Sequence, residues 1–187
     1  MSSDDAVVAV IRALNAMGTP YMITGSLASN FFGIARSTKD ADFILETASI
    51  DIGLLQSHLG PTLTIDRQMS FETVTLTSRH VIRKRSGPPF SVELFFLSDD
   101  EHDRTRFDRR RQGQLFGETV FLPTPEDVVI TKLRWSKQGR RNKDVDDARN
   151  VLAVQGDRLD FDYIRTWTDR DGTTELLEEI RRSIPPI

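Results

Sequence analysis

The stretch GSLASNFFGIARSTKDADF, residues 25–43, decides the fold of this 187-residue chain. An apolar run of strand length, residues 20–24, precedes it and is interrupted by Gly25-Ser26. Residues 27–32 suit a short helix, and residues 40–45 have the composition of the next strand. The pattern therefore predicts a strand, a small-residue turn, a helix and a second strand that carries two aspartates.

The two aspartates, Asp40 and Asp42, are two residues apart. Side chains at this spacing on a strand project from the same face. Two carboxylates about 6 Å apart repel by roughly 3 kcal/mol at an effective dielectric of 20. A fold that holds them together needs a cation between them, or one of them must keep its proton. Oxygen ligands without cysteine or clustered histidine favour Mg²⁺ or Mn²⁺.

Gly25 and Ser26 lie where a strand ends and a helix begins. Backbone N–H groups at a helix start are free to bind an anion, and the helix dipole favours negative charge there. Glycine allows a phosphate to approach closely, and Ser26 adds a hydroxyl donor. A phosphate site beside two acids is the layout needed to bind a metal–triphosphate.

Glu93 is the one charged residue in the apolar run 90–97. A buried, unpaired carboxylate is costly, so Glu93 needs a partner or a metal unless it lies on the solvated face of an edge strand. We predict that Glu93 is the third acid of the metal site.

The remaining pattern predicts an α+β protein with a small mixed sheet flanked by helices. Helices are expected over 4–17, 49–60, 124–135, 144–154, 161–168 and 174–182, and further strands over 73–77, 81–82, 90–97 and 115–122. The character changes to helical at Pro123, where Thr124 and Pro125 make a strong helix start. We therefore predict a core of residues 1–122 and a helical C-terminal extension, residues 123–187, packed on it.

The composition is that of an ordinary globular protein, with 38% hydrophobic and 28% charged residues. No apolar run approaches the roughly 20 residues that span a bilayer. The acidic first residues lack the layout of a secretory signal, and the absence of cysteine excludes disulfides and thiolate sites. We expect a cytoplasmic protein with no membrane partner.

Three basic clusters interrupt a chain of net charge −3. They lie within residues 79–85, 104–111 and 140–143. Each is either a solvated helix or loop face or a local surface that attracts a polyanion such as RNA.

The ordered motifs resemble a known family. Gly25-Ser26 followed by Thr38-Lys39-Asp40-Ala41-Asp42 is similar to the signature of the DNA polymerase beta-like nucleotidyltransferase superfamily. The segments 122–133 and 140–147 resemble AbiEii-type and related minimal bacterial nucleotidyltransferases. The resemblance covers residues 18 to about 154, most of the chain, and implies the nucleotidyltransferase fold.

The resemblance also implies roles for individual residues. Asp40, Asp42 and Glu93 would be the catalytic acids and metal ligands, with Glu93 also activating the attacking hydroxyl. The residues implied to bind the nucleotide are Gly25, Ser26, Thr38 and Lys132, and the supporting acid is Asp147. The sequence departs from the family pattern twice, because the third acid is usually Asp and the first motif of this subgroup is more often Gly-Gly.

Several of these signals have plainer interpretations. The Lys132 stem could pack on an apolar helix while its ammonium reaches water, and Asp144 could be a first-turn acid favoured by the helix dipole. Trp135 and Trp167 are interpreted as core residues. The three histidines are interpreted as structural or surface residues, namely His58, His80 and His102. No Gly-x-x-x-x-Gly-Lys phosphate loop is present.

The resulting expectation is an enzyme that moves a nucleoside monophosphate from an NTP to a hydroxyl acceptor, which the sequence leaves unidentified and which includes RNA. The alternative is a nucleotidyltransferase-like component of a toxin–antitoxin or phage-defence pair, either an RNA-modifying toxin or a non-catalytic binding protein with a small partner protein. A degenerate domain that binds NTP without catalysis is a third hypothesis.

Overall fold

The computed structural model describes residues 1–47, 49–72, 77–139 and 141–185. Its helices are α1 (Ser3–Ala16), α2 (Gly25–Phe32), α3 (Ile52–Leu59), α4 (Glu101–Asp108), α5 (Pro125–Gly139), α6 (Asn142–Gln155), α7 (Phe161–Asp171) and α8 (Thr174–Ser183). Its strands are β1 (Tyr21–Thr24), β2 (Asp40–Leu45), β3 (Leu63–Ile65), β4 (Ser70–Glu72), β5 (Thr77–Lys84), β6 (Ser91–Phe96), β7 (Arg111–Leu115) and β8 (Glu118–Leu122). In the described ranges, no helix is long and apolar enough to cross a bilayer.

The central sheet is mixed, as predicted. Its strand order is β1-β2-β6-β5-β3, and β4 pairs with the other half of β5. Strands β2 and β6 are parallel, and every other described pair is antiparallel. The β2–β6 register places Asp42 directly opposite Glu93. The topology therefore brings together two acids that are 51 positions apart in the chain.

One prediction about local structure is wrong. Residues 115–122 do not form one strand, because Phe116 (φ 51°) and Gly117 (φ 81°) turn the chain between β7 and β8. Two successive positive φ angles are typical of a tight hairpin turn whose twist matches the strands. The strands β3 and β4 and the helix α4 were not predicted. Helix α4 begins after Asp100, whose side chain accepts hydrogen bonds from the His102 and Asp103 N–H groups. The predicted strand 73–77 lies outside the described residues except for Thr77, which begins β5.

The main apolar core lies on one face of the sheet. Ala41, Phe43 and Leu45 of β2 point into it, and residues of α1, α5, α6, α7 and α8 belong to the same continuous cluster. The predicted C-terminal extension therefore shares one core with the residues before it. A small second cluster on the opposite face consists of Met22, Ile44, Phe95 and Phe107.

The alternation of side chains along β2 determines where the acids lie. Because Ala41, Phe43 and Leu45 face the main core, Asp40, Asp42 and Ile44 face the other way. The small cluster covers Ile44 but not the beginning of the strand. The N-terminal half of this sheet face is therefore the floor of an open cleft.

Candidate active site

The cleft has a volume of about 210 Å³. The strands β2, β5 and β6 form its floor, and α2, α5 and the beginning of α6 form its walls. It is lined by six residues predicted from the sequence, namely Gly25, Ser26, Asp40, Asp42, Glu93 and Lys132. The other two, Thr38 and Asp147, do not line the cleft but contact Asp40 and Lys132, which do.

The strand pair, Asp40 and Asp42, projects into the cleft as its spacing predicts. The Thr38 hydroxyl donates a hydrogen bond to Asp40 Oδ1 at 2.7 Å, which orients that carboxylate. Desolvation, together with the charges of Asp40 and Glu93, raises the pKa of Asp42 to about 7. Among the described residues, no lysine or arginine forms an ion pair with either aspartate. The described side chains therefore give the pair no ion-pair partner, although the charges of Lys132 and Lys143 act on Asp42 from a distance.

Gly25 is required at its position by the close approach of Asp42. Its φ is +62°, and a Cβ atom built there would lie 1.9 Å from Asp42 Oδ2. Only glycine combines this backbone conformation with room for the carboxylate. The sequence suggests a phosphate as the reason for Gly25, whereas the group that approaches Gly25 in this structure is the Asp42 carboxylate.

The donor set at this site fits a hard divalent cation. In the part of the chain that the structure describes, no three acidic or histidine side chains converge into a complete metal site. Mg²⁺, however, is commonly bound by one or two carboxylates together with waters and substrate phosphates. Two uncompensated carboxylates on one strand face, beside a helix start open to phosphate, match that incomplete set.

Glu93 faces the cleft from β6 and is ion-paired. Its Oε2 lies 2.8 Å from Arg79 Nη1 on the neighbouring strand β5. The partner that a lone glutamate in an apolar strand requires is therefore supplied by the sheet itself. The Glu93 side chain is 17% exposed, so it is accessible from the cleft.

The turn at Ser26 is connected to α6 by Arg36. The Arg36 guanidinium donates to both carboxylate oxygens of Asp147, at 2.7 and 2.9 Å, and to Ser26 Oγ at 3.1 Å. Because Ser26 Oγ accepts this bond, its own hydrogen stays available for a ligand. Arg36 thus fixes both the turn and the acid that the family resemblance names as supporting.

Lys132 is buried and forms ion pairs with both acids of the helix pair, Asp144 and Asp147. Its Nζ lies 2.9 Å from Asp144 Oδ1 and 2.7 Å from Asp147 Oδ2. Burial raises the pKa of Asp147, but the hydrogen bond from Arg36 and the charge of Lys132 outweigh it and lower the pKa below its usual value. Asp144 also contacts Arg141, at 3.1 Å. Lys132 therefore already has two anionic partners in this structure.

Several residues that line the cleft were not predicted as site residues, and Trp135 and Arg106 are two of them. Trp135 lines the cleft and is partly exposed, so its assignment to the core is wrong. It lies three residues after Lys132 on α5, a spacing that puts both on one helix side and was available from the sequence. Arg106 also lines the cleft, although it is only 3% exposed, and it donates to Asp103 and Thr24. Trp167, by contrast, is confirmed as a core residue.

The arginine cluster 104–111 is largely occupied by contacts within the protein. Arg104 pairs with Asp99, Arg106 with Asp103, Arg109 with Asp127, and Arg110 stacks on Phe107 and Phe121. The other clusters contribute the Arg79–Glu93, Arg83–Asp66 and Arg141–Asp144 pairs. Arg140 lies outside the described residues. These contacts favour the interpretation of the arginines as structural over a free surface for polyanions.

Comparison with known proteins places the fold. No family model matches the sequence, and no curated protein matches it. Among solved structures, the chain is similar to ANT(2'')-Ia in complex with adenylyl-2''-tobramycin, with a TM-score of 0.60 and 10% identity over 94% of this chain and 99% of that one. The solution structure of ANT(2'')-Ia gives a TM-score of 0.61 at 10% identity, with 96% of each chain covered.

A third similar structure is an antigenic nucleotidyltransferase-like protein from Paracoccidioides brasiliensis. It has a TM-score of 0.50 and 17% identity over 95% of this chain and 93% of that one. Identities this low establish the fold alone, and the chain has the nucleotidyltransferase fold that its motifs predicted. The narrower resemblance to AbiEii-type proteins stays a prediction.

Proposed function

We propose that the protein is a metal-dependent nucleotidyltransferase that moves a nucleoside monophosphate from an NTP to a hydroxyl acceptor. The observation that carries the proposal is the strand pair, Asp40 and Asp42. These two acids project together into a cleft beside the Gly25-Ser26 turn, with no cationic side chain of the described residues paired to them. The nucleotidyltransferase fold of the similar structures supports the same reaction class.

The acids, the beginning of α2 and Trp135 have separate roles in this proposal. Asp40 and Asp42 hold Mg²⁺ or Mn²⁺, and Thr38 keeps Asp40 oriented. When bound there, the metal would neutralise the triphosphate and stabilise the leaving oxygen. The first N–H groups of α2 and the free hydrogen of Ser26 donate to phosphate oxygens. Trp135 lies on the wall as a flat apolar surface for the base.

The reaction itself is a displacement at the α-phosphorus. The acceptor oxygen forms a bond to that phosphorus, the bond to the bridging oxygen of the β-phosphate breaks, and pyrophosphate leaves. Glu93 is the proposed acceptor of the hydroxyl proton, since it faces the cleft opposite Asp42 in the β2–β6 register. Arg79 holds the Glu93 carboxylate in position by its 2.8 Å ion pair.

The proposal does not extend to RNA as the acceptor. An RNA-modifying toxin would need a basic surface beside the cleft, and most of the predicted arginines are already paired within the protein. ANT(2'')-Ia, which is similar over its full length, is known in complex with an adenylylated aminoglycoside. An acceptor screen should therefore include aminoglycosides beside total RNA and a protein lysate.

The test is transfer of label from each of the four α-labelled NTPs, with Mg²⁺, to these acceptors. We expect transfer by the Asp42→Ala variant to fall on the order of 10³-fold. The variant lacks one ligand of the proposed metal ion, whose charge stabilises the transition state. The matched control is Asp146→Ala, which removes an aspartate that is 62% exposed and pairs only with Arg149 among the described residues. Equal transfer by Asp42→Ala and the control would reject the proposed site.

A further inference from the structure

Five cationic side chains line the cleft. They are Arg79, Arg106, Lys132, Arg141 and Lys143. The first four each have a carboxylate partner within 3.1 Å. Lys143 is exposed, and among the described residues it forms no ion pair or side-chain hydrogen bond. Among the described residues, four of the five cations therefore have a carboxylate partner and Lys143 has none.

Lys132 cannot be redirected to a ligand without a large rearrangement. It is 2% exposed and lies within 2.9 Å of both acids of the helix pair. Moving its ammonium towards a phosphate would leave two buried aspartates short of a partner, and an uncompensated buried charge is strongly destabilising. Its contacts suit a residue that joins α5 to α6.

Lys143 has the opposite surroundings. It lies in the first turn of α6, between Asn142 and the buried Asp144, and its side chain points to the cleft while Asp144 points to Lys132. Lys143 and the strand pair line the same cleft. No described side chain caps the beginning of α6, and of its first N–H groups that of Asp144 donates to the Arg141 carbonyl oxygen at 3.0 Å.

We propose that Lys143, and not Lys132, is the cation that binds the β- and γ-phosphates of the NTP. The inference rests on the proposed function and adds the beginning of α6 to the Gly25-Ser26 turn as a second phosphate-binding side of the same cleft. The first turn of that helix adds N–H donors and a favourable dipole to the Lys143 charge. Lys132 becomes a positioning residue, which keeps the helix that carries Lys143 against α5.

The test measures binding of Mg²⁺–pyrophosphate and of the four Mg²⁺–NTPs to the full chain by calorimetry. For Lys143→Ala we expect pyrophosphate and NTP affinities to fall about 10- to 100-fold, since a charge-assisted hydrogen bond to phosphate is lost. Binding of the matching nucleoside should not change. Lys143→Arg should restore most of the affinity, because it returns the charge at the same place.

Two controls separate this role from a general charge effect. Arg149→Ala removes one positive charge from the same helix, outside the cleft, and should leave pyrophosphate affinity as in the wild type. Lys132→Met should lower stability to urea, with pyrophosphate affinity retained in the fraction that is folded. If Lys143→Ala binds pyrophosphate like the wild type while Asp42→Ala abolishes transfer, the Lys143 assignment is overturned and the proposed function stands. If the wild type neither binds nor transfers any NTP, the proposed function fails and takes this assignment with it.

Discussion

The strand pair and the helix pair are two sets of neighbouring aspartates with opposite surroundings. Asp40 and Asp42 are two residues apart on β2, and Asp144 and Asp147 are three apart on α6. The helix pair is almost fully buried, at 0% and 2% exposure, and is surrounded by cations. The strand pair is less buried, yet no cation of the described residues pairs with it.

The difference separates acids that are paired within the fold from acids that we propose as metal ligands. A buried carboxylate persists only when it is compensated, so its partners show what its charge is used for. The helix pair finds its cations inside the chain, from Lys132, Arg36 and Arg141. The strand pair has no ion-pair partner among the described residues, and a carboxylate with a raised pKa in a cleft is typical of a functional site.

The largest expected effect is on the helix pair. Asp147→Ala leaves Lys132 and Arg36 without a shared carboxylate, and breaking a buried ion pair from one side costs about 3–5 kcal/mol. We expect the free energy of unfolding, measured in urea, to fall by that amount. Asp146→Ala, one residue away and exposed, should change it by less than about 0.5 kcal/mol. A value for Asp147→Ala as small as that of its neighbour would show that the helix pair is not structural.

The strand pair should respond in the opposite direction. Asp42→Asn removes a carboxylate whose pKa is raised to about 7, so in metal-free buffer it should increase the free energy of unfolding. The folded wild type binds more protons than the unfolded chain between pH 4 and 7, so its stability falls as pH rises through that range. The variant should therefore match the wild type near pH 4 and exceed it above pH 7 by on the order of 2–4 kcal/mol.

Urea unfolding at a series of pH values, in the presence of a chelator, measures this difference. Saturating Mg²⁺ should reduce it, because the cation stabilises the wild type and not the variant. A variant that is less stable than the wild type at pH 8 would mean that the Asp42 carboxylate has a favourable partner, and the contrast between the two pairs would disappear.

Sequence reasoning found the strand pair because its signals are local. The glycine at 25 and the two-residue spacing of the acids determine β2 and its outward face, and β2 begins and ends at the predicted residues. The same reasoning placed Glu93 on a strand, but its partner Arg79 depends on which strands pair. A single sequence carries no direct record of that pairing.

The helix pair illustrates what local patterns leave out. Arg36 and Asp147 are 111 positions apart, so only the packing of α6 against α2 reveals their contact. Asp144 does lie in the first turn of α6, but its ion pair with Lys132 is not visible in the sequence, where Lys132 was assigned to phosphate from the family resemblance. Trp135 was assigned to the core because most aromatic residues on helices are buried, although its spacing from Lys132 already put both on one side.

The smallest expected effect concerns how the strand pair is oriented. Thr38→Val removes the hydroxyl that donates to Asp40 at 2.7 Å but keeps the shape of the side chain. A neutral hydrogen-bond donor to a carboxylate contributes about 1.4 kcal/mol, so we expect nucleotide transfer to fall about tenfold, with unfolding in urea nearly unchanged. Thr38→Ser retains the hydroxyl and should transfer like the wild type. Full activity in Thr38→Val would mean that Asp40 is held by the strand alone, and that the uncompensated pair needs no help from the loop before it.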